Sequence, residues 1–522
     1  MKKLLSLILT IIIIFSFTGC NGYKKGKSFS YILTQTVSSL DPQTATGGST
    51  LTVINAIFEG LCRIDENGVA PGVAKSWEAN SDFTQFTFKL RDNAKWHNGK
   101  KVTAEDFIFG IQRALTPETN SSAVQDLFII KNAENIYSGK MDFSSLGVTA
   151  INEHTLVFDL EKSCEDFPSL TAEPHYMPCN QDFFEGTAGR YGLSASYLLT
   201  NGPFTFANVY AWNYNSSIRL APAVYYSGNH NAYPAELLFL MQYDTKIDEQ
   251  PIDALVNGDI DIMAISSEQL NEAKEKKCEI VELDDSVTGL LLNPKDEILK
   301  ELDLREIYIK SINRDDVLSR TPEEVEEATG IMPKDTAVNG EPYRLEGEEI
   351  FQKEDLNLAK RIEQALPELD IERIPNITII CRDDEYSRAI ANGILISWNS
   401  KLNNAFNILP LDDYSYRVRI RNGDYQAALY TMKADGSSPY SVLRKFESTS
   451  SPALMENAEY DKALSAARFD VNAYRNLETM VMNENVFYPI YFEKSYYAIS
   501  PLATDILVSS DLGIDFAKAR RK

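Results

Sequence analysis

Histidine and cysteine are scarce in this chain, with four His and six Cys in 522 residues. His97, His154, His175 and His230 are too scattered for a local metal-ligand spacing, and each reads as a turn or core-edge residue. No C-x-x-C pair occurs, which excludes a zinc ribbon, and the odd number of cysteines left beyond Cys20 excludes a disulfide scaffold. The G-x-S-x-G elbow, H-E-x-x-H, the P-loop and S-x-x-K are missing, and with them the common local signatures of hydrolases and nucleotide enzymes. Gly186-x-x-Gly189-x-x-Gly192 lacks the opening G-x-G and the preceding strand of a dinucleotide loop, so it reads as a surface segment. Positive charge is short as well. Against 75 Asp plus Glu stand 51 Lys plus Arg, a net charge of -24 that repels a phosphate backbone and excludes nucleic acid as a partner. Only one long apolar run is present, so a multi-pass membrane protein is excluded too.

That run sits at the N-terminus. Lys2 and Lys3 precede an apolar stretch over residues 4–17, which has the charged start and short core of a signal peptide and is too short to cross a bilayer. It ends in Phe17-Thr18-Gly19-Cys20, which resembles the bacterial lipobox, with Phe17 in place of the usual Leu. That likeness implies a signal peptide over residues 1–19, diacylation of the Cys20 thiol, and a Lys- and Gly-bearing tether over 20–27. Of the five remaining cysteines, Cys164 and Cys179 either pair in an oxidising exterior or join Cys62, Cys278 and Cys381 as small buried hydrophobes.

The rest of the chain is globular in composition, 44% hydrophobic and 24% charged. At roughly 150 residues per domain its length allows about three or four folding units, or two large lobes. Phe86, Phe88 and Leu90 alternate with polar residues as a half-buried strand. Asn98-Gly99 is a turn dipeptide, and Thr103-Ala104-Glu105-Asp106 opens a helix whose Phe107 and Ile111 share a face. Leu358, Ile362 and Leu366 predict a second helix, residues 377–381 a β-branched strand, and Ile390, Ile394 and Trp398 a third helix. Residues 425–432 read as a buried strand ending in a loop at Asp435-Gly436. Such alternation predicts an α/β chain, with a parallel or mixed sheet flanked by helices.

From Pro71 the chain reads PGVAKSWEANSDFTQFTFKLRDNAKWHNGKKVTAEDFIFGIQRAL. This stretch resembles the signature region of the extracellular solute-binding proteins of the peptide/nickel/opine importer family, nearest the oligopeptide-binding lipoproteins. Ser39-Leu40-Asp41-Pro42, Phe58-Glu59-Gly60-Leu61, Asn201-Gly202-Pro203-Phe204, Asn257-Gly258-Asp259-Ile260-Asp261 and Ala434-Asp435 with Pro439 follow the family order. The resemblance implies a two-lobed, hinged, class II binding-protein fold. Lobe I would take residues 28–58, 179–281 and 493–522, an extra subdomain 59–178, and lobe II 282–492. Trp77, Trp96 and Phe88 within the signature read as core, not as ligand contacts.

By the same resemblance the chain is a receptor that performs no chemistry and needs no cofactor or metal. It would hold an oligopeptide between its lobes by main-chain pairing and deliver it, as a monomer, to an ABC transporter permease. Asp435 matches the residue that binds the peptide α-ammonium, Thr431, Met432 and Lys433 the pairing strand, and Thr46, Gly47 and Gly48 the facing loop. Thr46, Ala123 and Met432 depart from the acidic residue, tyrosine and tryptophan of enteric members, which leaves ligand length and side-chain preference open. A same-fold receptor for a dipeptide, nickel chelate, opine or sugar-derived compound, a surface hydrolase, and a peptide-pheromone sensor are the alternatives. The anchor has a direct test. Wild-type protein should partition with membranes and Cys20→Ala protein should be released or left unprocessed; equal solubility of both outside the cell would refute the anchor.

Overall fold

A computed structural model describes residues 27–522 except 34–35, 46–47, 66, 122–123, 242–249, 323–324, 339–340, 345–356, 435, 451–453, 468–469 and 511–512. Cys20, the signal peptide and the tether up to residue 26 lie outside the described residues, as do Thr46, Gly47, Ala123 and Asp435. Among the described residues no helix is long and apolar enough to cross a membrane.

The first part of the chain supplies β1 (Ser28–Ile32) and α1 (Gly48–Ile57). It continues with β2 (Ala74–Ala79), β3 (Gln85–Leu90), α2 (Ala104–Ala114), β4 (Val148–Asn152) and β5 (Thr155–Asp159). Strands β2 to β5 form a separate antiparallel sheet in the order β2-β3-β5-β4. The predicted alternation in β3 holds because Phe86, Phe88 and Leu90 all point inward, where Phe88 meets Phe158 edge-on at 5.6 Å and Phe158 meets Phe167 at 5.1 Å. Helix α2 starts where the capping box places it. Asp106 accepts from the Thr103 amide at 2.8 Å, from Asn180 Nδ2 at 3.0 Å and from the Trp96 indole N–H at 3.3 Å. Trp96 is fully buried, so this part of the signature is core.

The main sheet begins with β1 and gains β6 (Phe204–Phe206), β7 (Ser217–Pro222), β8 (Glu236–Leu240), β9 (Ile262–Ile265) and the fourteen-residue β10 (Glu279–Leu292). There follow α3 (Leu358–Glu368), β11 (Thr378–Arg382), α4 (Glu385–Lys401), β12 (Asn407–Leu411) and α5 (Asp413–Asn422). Last come β13 (Ala427–Lys433), the short α6 (Pro439–Leu443) and the thirteen-residue β14 (Phe487–Ile499). The strand order is β12-β11-β13-β10-β14-β9-β1-β8-β7-β6, with two short strands off that path. β11 pairs in parallel with both β12 and β13, and β1 in parallel with β8 and β9, while β10 is antiparallel to β13 and β14. The sheet is therefore mixed, as the alternation of elements predicts.

One sheet serves two lobes because β10 and β14 belong to both. Near Ile280 and Ala498 they extend the sheet of β9 and β1; near Leu290 and Tyr488 they extend that of β13 and β11. Between these parts the ladder breaks, from Leu283↔Ser495 to Ser286↔Glu493. Each half carries its own apolar packing on both faces. Phe29, Phe88, Phe239 and Phe516 belong to one first-lobe cluster, and Ile32, Leu255 and Ala498 to another on the opposite face. In the second lobe Val287, Leu291 and Met432 pack on one face, and Leu290, Leu292 and Leu429 on the other. All five cysteines beyond Cys20 are buried and free, with burial pushing the Cys62 and Cys164 thiols up to about 12.

Buried charge ties the chain ends of the first lobe. Asp515 accepts from His230 Nε2 at 2.6 Å and lies 3.4 Å from the Arg63 guanidinium. Burial on its own would raise this carboxyl's pKa, but the His230 bond and the Arg63 charge hold it well below the ordinary range. A depressed folded pKa gives stability that is present above the unfolded value, about 3.9, and is lost as pH falls through the folded one. Asp515→Asn should cost about 3–5 kcal/mol at pH 7, because Arg63 loses its buried counter-charge. In urea titrations between pH 6 and pH 2 the wild type should lose more stability than the variant; parallel curves would refute the assignment.

Candidate functional site

The ligand strand proposed by sequence is β13, and its surroundings decide which of its residues can reach a ligand. β10 pairs with it along its full length, from Leu292↔Ala427 to Ser286↔Lys433. On its other side β11 pairs with it only at Ile379↔Ala427 and Ile380↔Ala428. Beyond Ala428, β13 runs on past the end of that pairing. Antiparallel ladders alternate the direction of their main-chain groups, and Ala434 N donates to Asp285 O at 2.8 Å. Residues 434, 432 and 430 therefore face β10, whereas 433, 431 and 429 face the β11 side. The Tyr416 hydroxyl confirms the sense of this alternation by donating to Leu429 O at 2.6 Å on that side.

The three strand residues thus differ. The Thr431 main chain faces the β11 side, and its hydroxyl lies 2.7 Å from that of Thr288 and donates to Glu493 Oε2 at 3.0 Å. Met432 leaves the candidate set. Its side chain is 0% exposed within the second-lobe core and its main chain is turned to Val287, so neither is presented to a ligand. Lys433 is exposed, with its ammonium 3.0 Å from the Asp285 carboxylate and donating to Ser495 Oγ at 3.0 Å. Gly48 opens α1, and a Cβ there would meet nothing within 4 Å, so it borders open space.

Sequence reasoning missed the polar centre beside this strand. Asp285 is 1% exposed at the break in the β10–β14 ladder, where it accepts from Ser286 Oγ at 2.8 Å and Ser495 Oγ at 2.7 Å. Asp284 is held by Asp335, whose carboxylate accepts its amide at 3.0 Å and whose amide donates to its carbonyl at 3.0 Å. Two acidic residues in the middle of an apolar strand run were the available signal. The loop after β13 is likewise fixed: Ala337 N donates to Ser437 O at 2.8 Å, Ser441 Oγ to Gly436 O at 3.2 Å, and Ser438 caps α6.

Past that loop the lobes touch. Tyr440 donates to Gln125 Oε1 at 2.6 Å, and Gln125 in turn lies 3.4 Å from Glu447. His175 is enclosed at the same junction, where burial, with the Arg444 charge second, pushes its pKa down to about 3. It is neutral at any ordinary pH. Among the described residues no group of three His, Cys, Asp or Glu side chains could hold a metal ion. What the arrangement offers is a strand edge beside a held loop, which suits binding.

The profile of the bacterial extracellular solute-binding proteins, family 5 (middle region) matches residues 68–453. The chain belongs to this family. It is a binding protein and not an enzyme, as the signature from Pro71 implied. It is 26% identical to the oligopeptide-binding protein OppA of Bacillus subtilis over 530 residues, covering 94% of each chain. It is 24% identical to a dipeptide-binding protein of Lactococcus lactis, again over 94% of each. The solved structure of Listeria monocytogenes OppA bound to peptide superposes with a TM-score of 0.75 at 20% identity, covering 95% of this chain and 99% of that one. At that identity the likeness is one of fold, and the fold is the two-lobed α/β architecture described above.

The placement of Met432 is directly testable. Met432→Ala should lower unfolding free energy by about 2–5 kcal/mol, while Met432→Leu, which conserves volume, should cost under about 1.5 kcal/mol. Urea denaturation measures both; a fully stable Met432→Ala protein would refute the core position.

Proposed function

We propose that this protein is a membrane-tethered receptor that captures oligopeptides between its lobes and delivers them to an ABC transporter permease. The observation that carries the reading is β13, whose Thr431 main chain faces the side where β11 pairing has ended. An extended peptide can add there as a further strand, gaining main-chain hydrogen bonds that do not depend on its sequence. The similarity to proteins named for oligopeptide and dipeptide binding supports a peptide as the solute. Attachment through a diacylated Cys20 and function as a monomer complete the reading.

The reading divides the chain into lobe I (28–58, 179–281, 493–522), the extra subdomain (59–178) and lobe II (282–492). The ladder break between Leu283 and Ser286 supports a hinge close to these borders. Asp435 would bind the peptide's α-ammonium, with the Thr46, Gly47 and Gly48 loop facing it. Support comes from its neighbours, since Ala434 and residues 436–438 are held by Asp285, Ala337 and Ser441 and would preorganise the carboxylate.

Mass spectrometry of purified protein should recover unchanged peptides, and turnover of a peptide library would refute a pure receptor. Calorimetry can then test Asp435. Asp435→Ala should weaken free-amine peptides on the order of a hundredfold or more, because removing one member of a buried ion pair costs about 3–5 kcal/mol. N-acetylated peptides should bind weakly and lose little further. A coupling near zero between acetylation and substitution would release Asp435 from the role.

A further inference from the structure

The groove beside β13 has a charge that the protein as a whole lacks. It encloses about 470 Å³ between α5, the end of β11 and β13, with Tyr430 and Thr431 on its strand wall and Arg382, Arg417 and Arg421 around it. Arg382 and Arg417 share one carboxylate, Asp413, at 3.3 and 2.6 Å. Among the described residues no carboxylate lies within ion-pair distance of Arg421. Three guanidinium groups thus stand against two carboxylates, Asp413 and, bonded to the Thr431 hydroxyl at 3.0 Å, Glu493, in a protein of net charge -24.

Arg417 and Arg421 are four residues apart on α5, where like charges share a face and repel. Arg382 stands 5.3 Å from the centroid of the Tyr416 ring, whose hydroxyl is held by Leu429 O, so this arginine is positioned at the groove wall. A planar guanidinium pairs best with a carboxylate, through two parallel hydrogen bonds. The groove opens at the Thr431 side of β13, beside the strand edge available to a peptide backbone.

Resting on the peptide-receptor reading above, we propose that the Arg382–Arg417–Arg421 groove selects peptides carrying an acidic side chain opposite Thr431.

The test is a set of Ala/Gly hexapeptides with a free amino terminus and an amidated carboxyl terminus. Each carries a single Glu, or its isostere Gln, at one position in turn. Wild-type protein should bind one Glu peptide about tenfold or more tightly than its Gln twin, the effect of a charge-assisted hydrogen bond. Arg417→Gln/Arg421→Gln protein should bind the two alike, and its melting temperature should match wild type because both side chains are exposed. Equal binding of every Glu and Gln pair by wild type overturns the inference and leaves peptide capture standing. So does a preference that persists in the double variant. If restoring the terminal carboxylate, instead of placing Glu, gives the arginine-dependent gain, the groove reads a chain end and the inference falls. Binding of no member of the set, with other solutes bound, removes the peptide reading as well.

Discussion

Two long strands crossing from one lobe to the other constrain everything else in this molecule. β10 and β14 each donate one half to each lobe's sheet, so neither lobe can form without the other's strands being in place. Their ladder breaks across residues 284–285 and 494 and shifts register once more between Thr288 and Gly289, which confines the polar cost of the breaks to short segments. The freed groups at 284 are satisfied by Asp335, and the Asp285 carboxylate by Ser286, Ser495 and the Lys433 ammonium. A buried carboxylate requires such partners, because an uncompensated charge there would cost several kcal/mol. Lys433 is also the last residue of β13, so any reorientation at the ladder break acts directly on the end of that strand.

The same pairing fixes what β13 can offer. Since β10 takes the main chain at alternate residues, only one parity remains for the opposite side, and the second-lobe core takes the intervening side chain of Met432. A one-residue slip would exchange the roles of Thr431 and Met432 and bury a hydroxyl pair instead of a thioether. The Thr288–Thr431–Glu493 bonds resist that slip, because they form only in the observed register.

Local periodicity made much of the fold legible. β3, the α2 start, α3, β11 and α4 all lie where apolar spacing and capping residues put them, because those signals act within one turn or one strand. The order of the sheet was not legible, since β10 and β14 pair across about two hundred residues and carry no local mark of each other. Parity in β13 was hidden for a different reason. Ala427 to Met432 carries no charge on either face, as suits a strand between two packed layers, so alternation says nothing about which main-chain groups face away from β10. Asp285 was missed because an acidic pair in a strand run reads as a surface position until its burial is known. Of the expected site, Thr431, Met432, Lys433 and Gly48 are placed, while Asp435, Thr46 and Gly47 lie outside the described residues.

Charge then acts on two scales. A net charge of -24 repels an acidic peptide at long range, yet at physiological ionic strength that field is screened within about 8 Å. Inside the groove the governing charges are the nearest ones, three arginines against Asp413 and Glu493, and their balance is attractive to a carboxylate. In the proposed reading, main-chain pairing along β13 and a charged groove beside it would divide the work of recognition accordingly. The first gives affinity that any extended peptide shares, and the second can only add a difference between peptides. A receptor built this way tolerates many sequences and still ranks them. Its ranking should weaken with added salt much more than its affinity does, because main-chain hydrogen bonds are not screened as an exposed ion pair is.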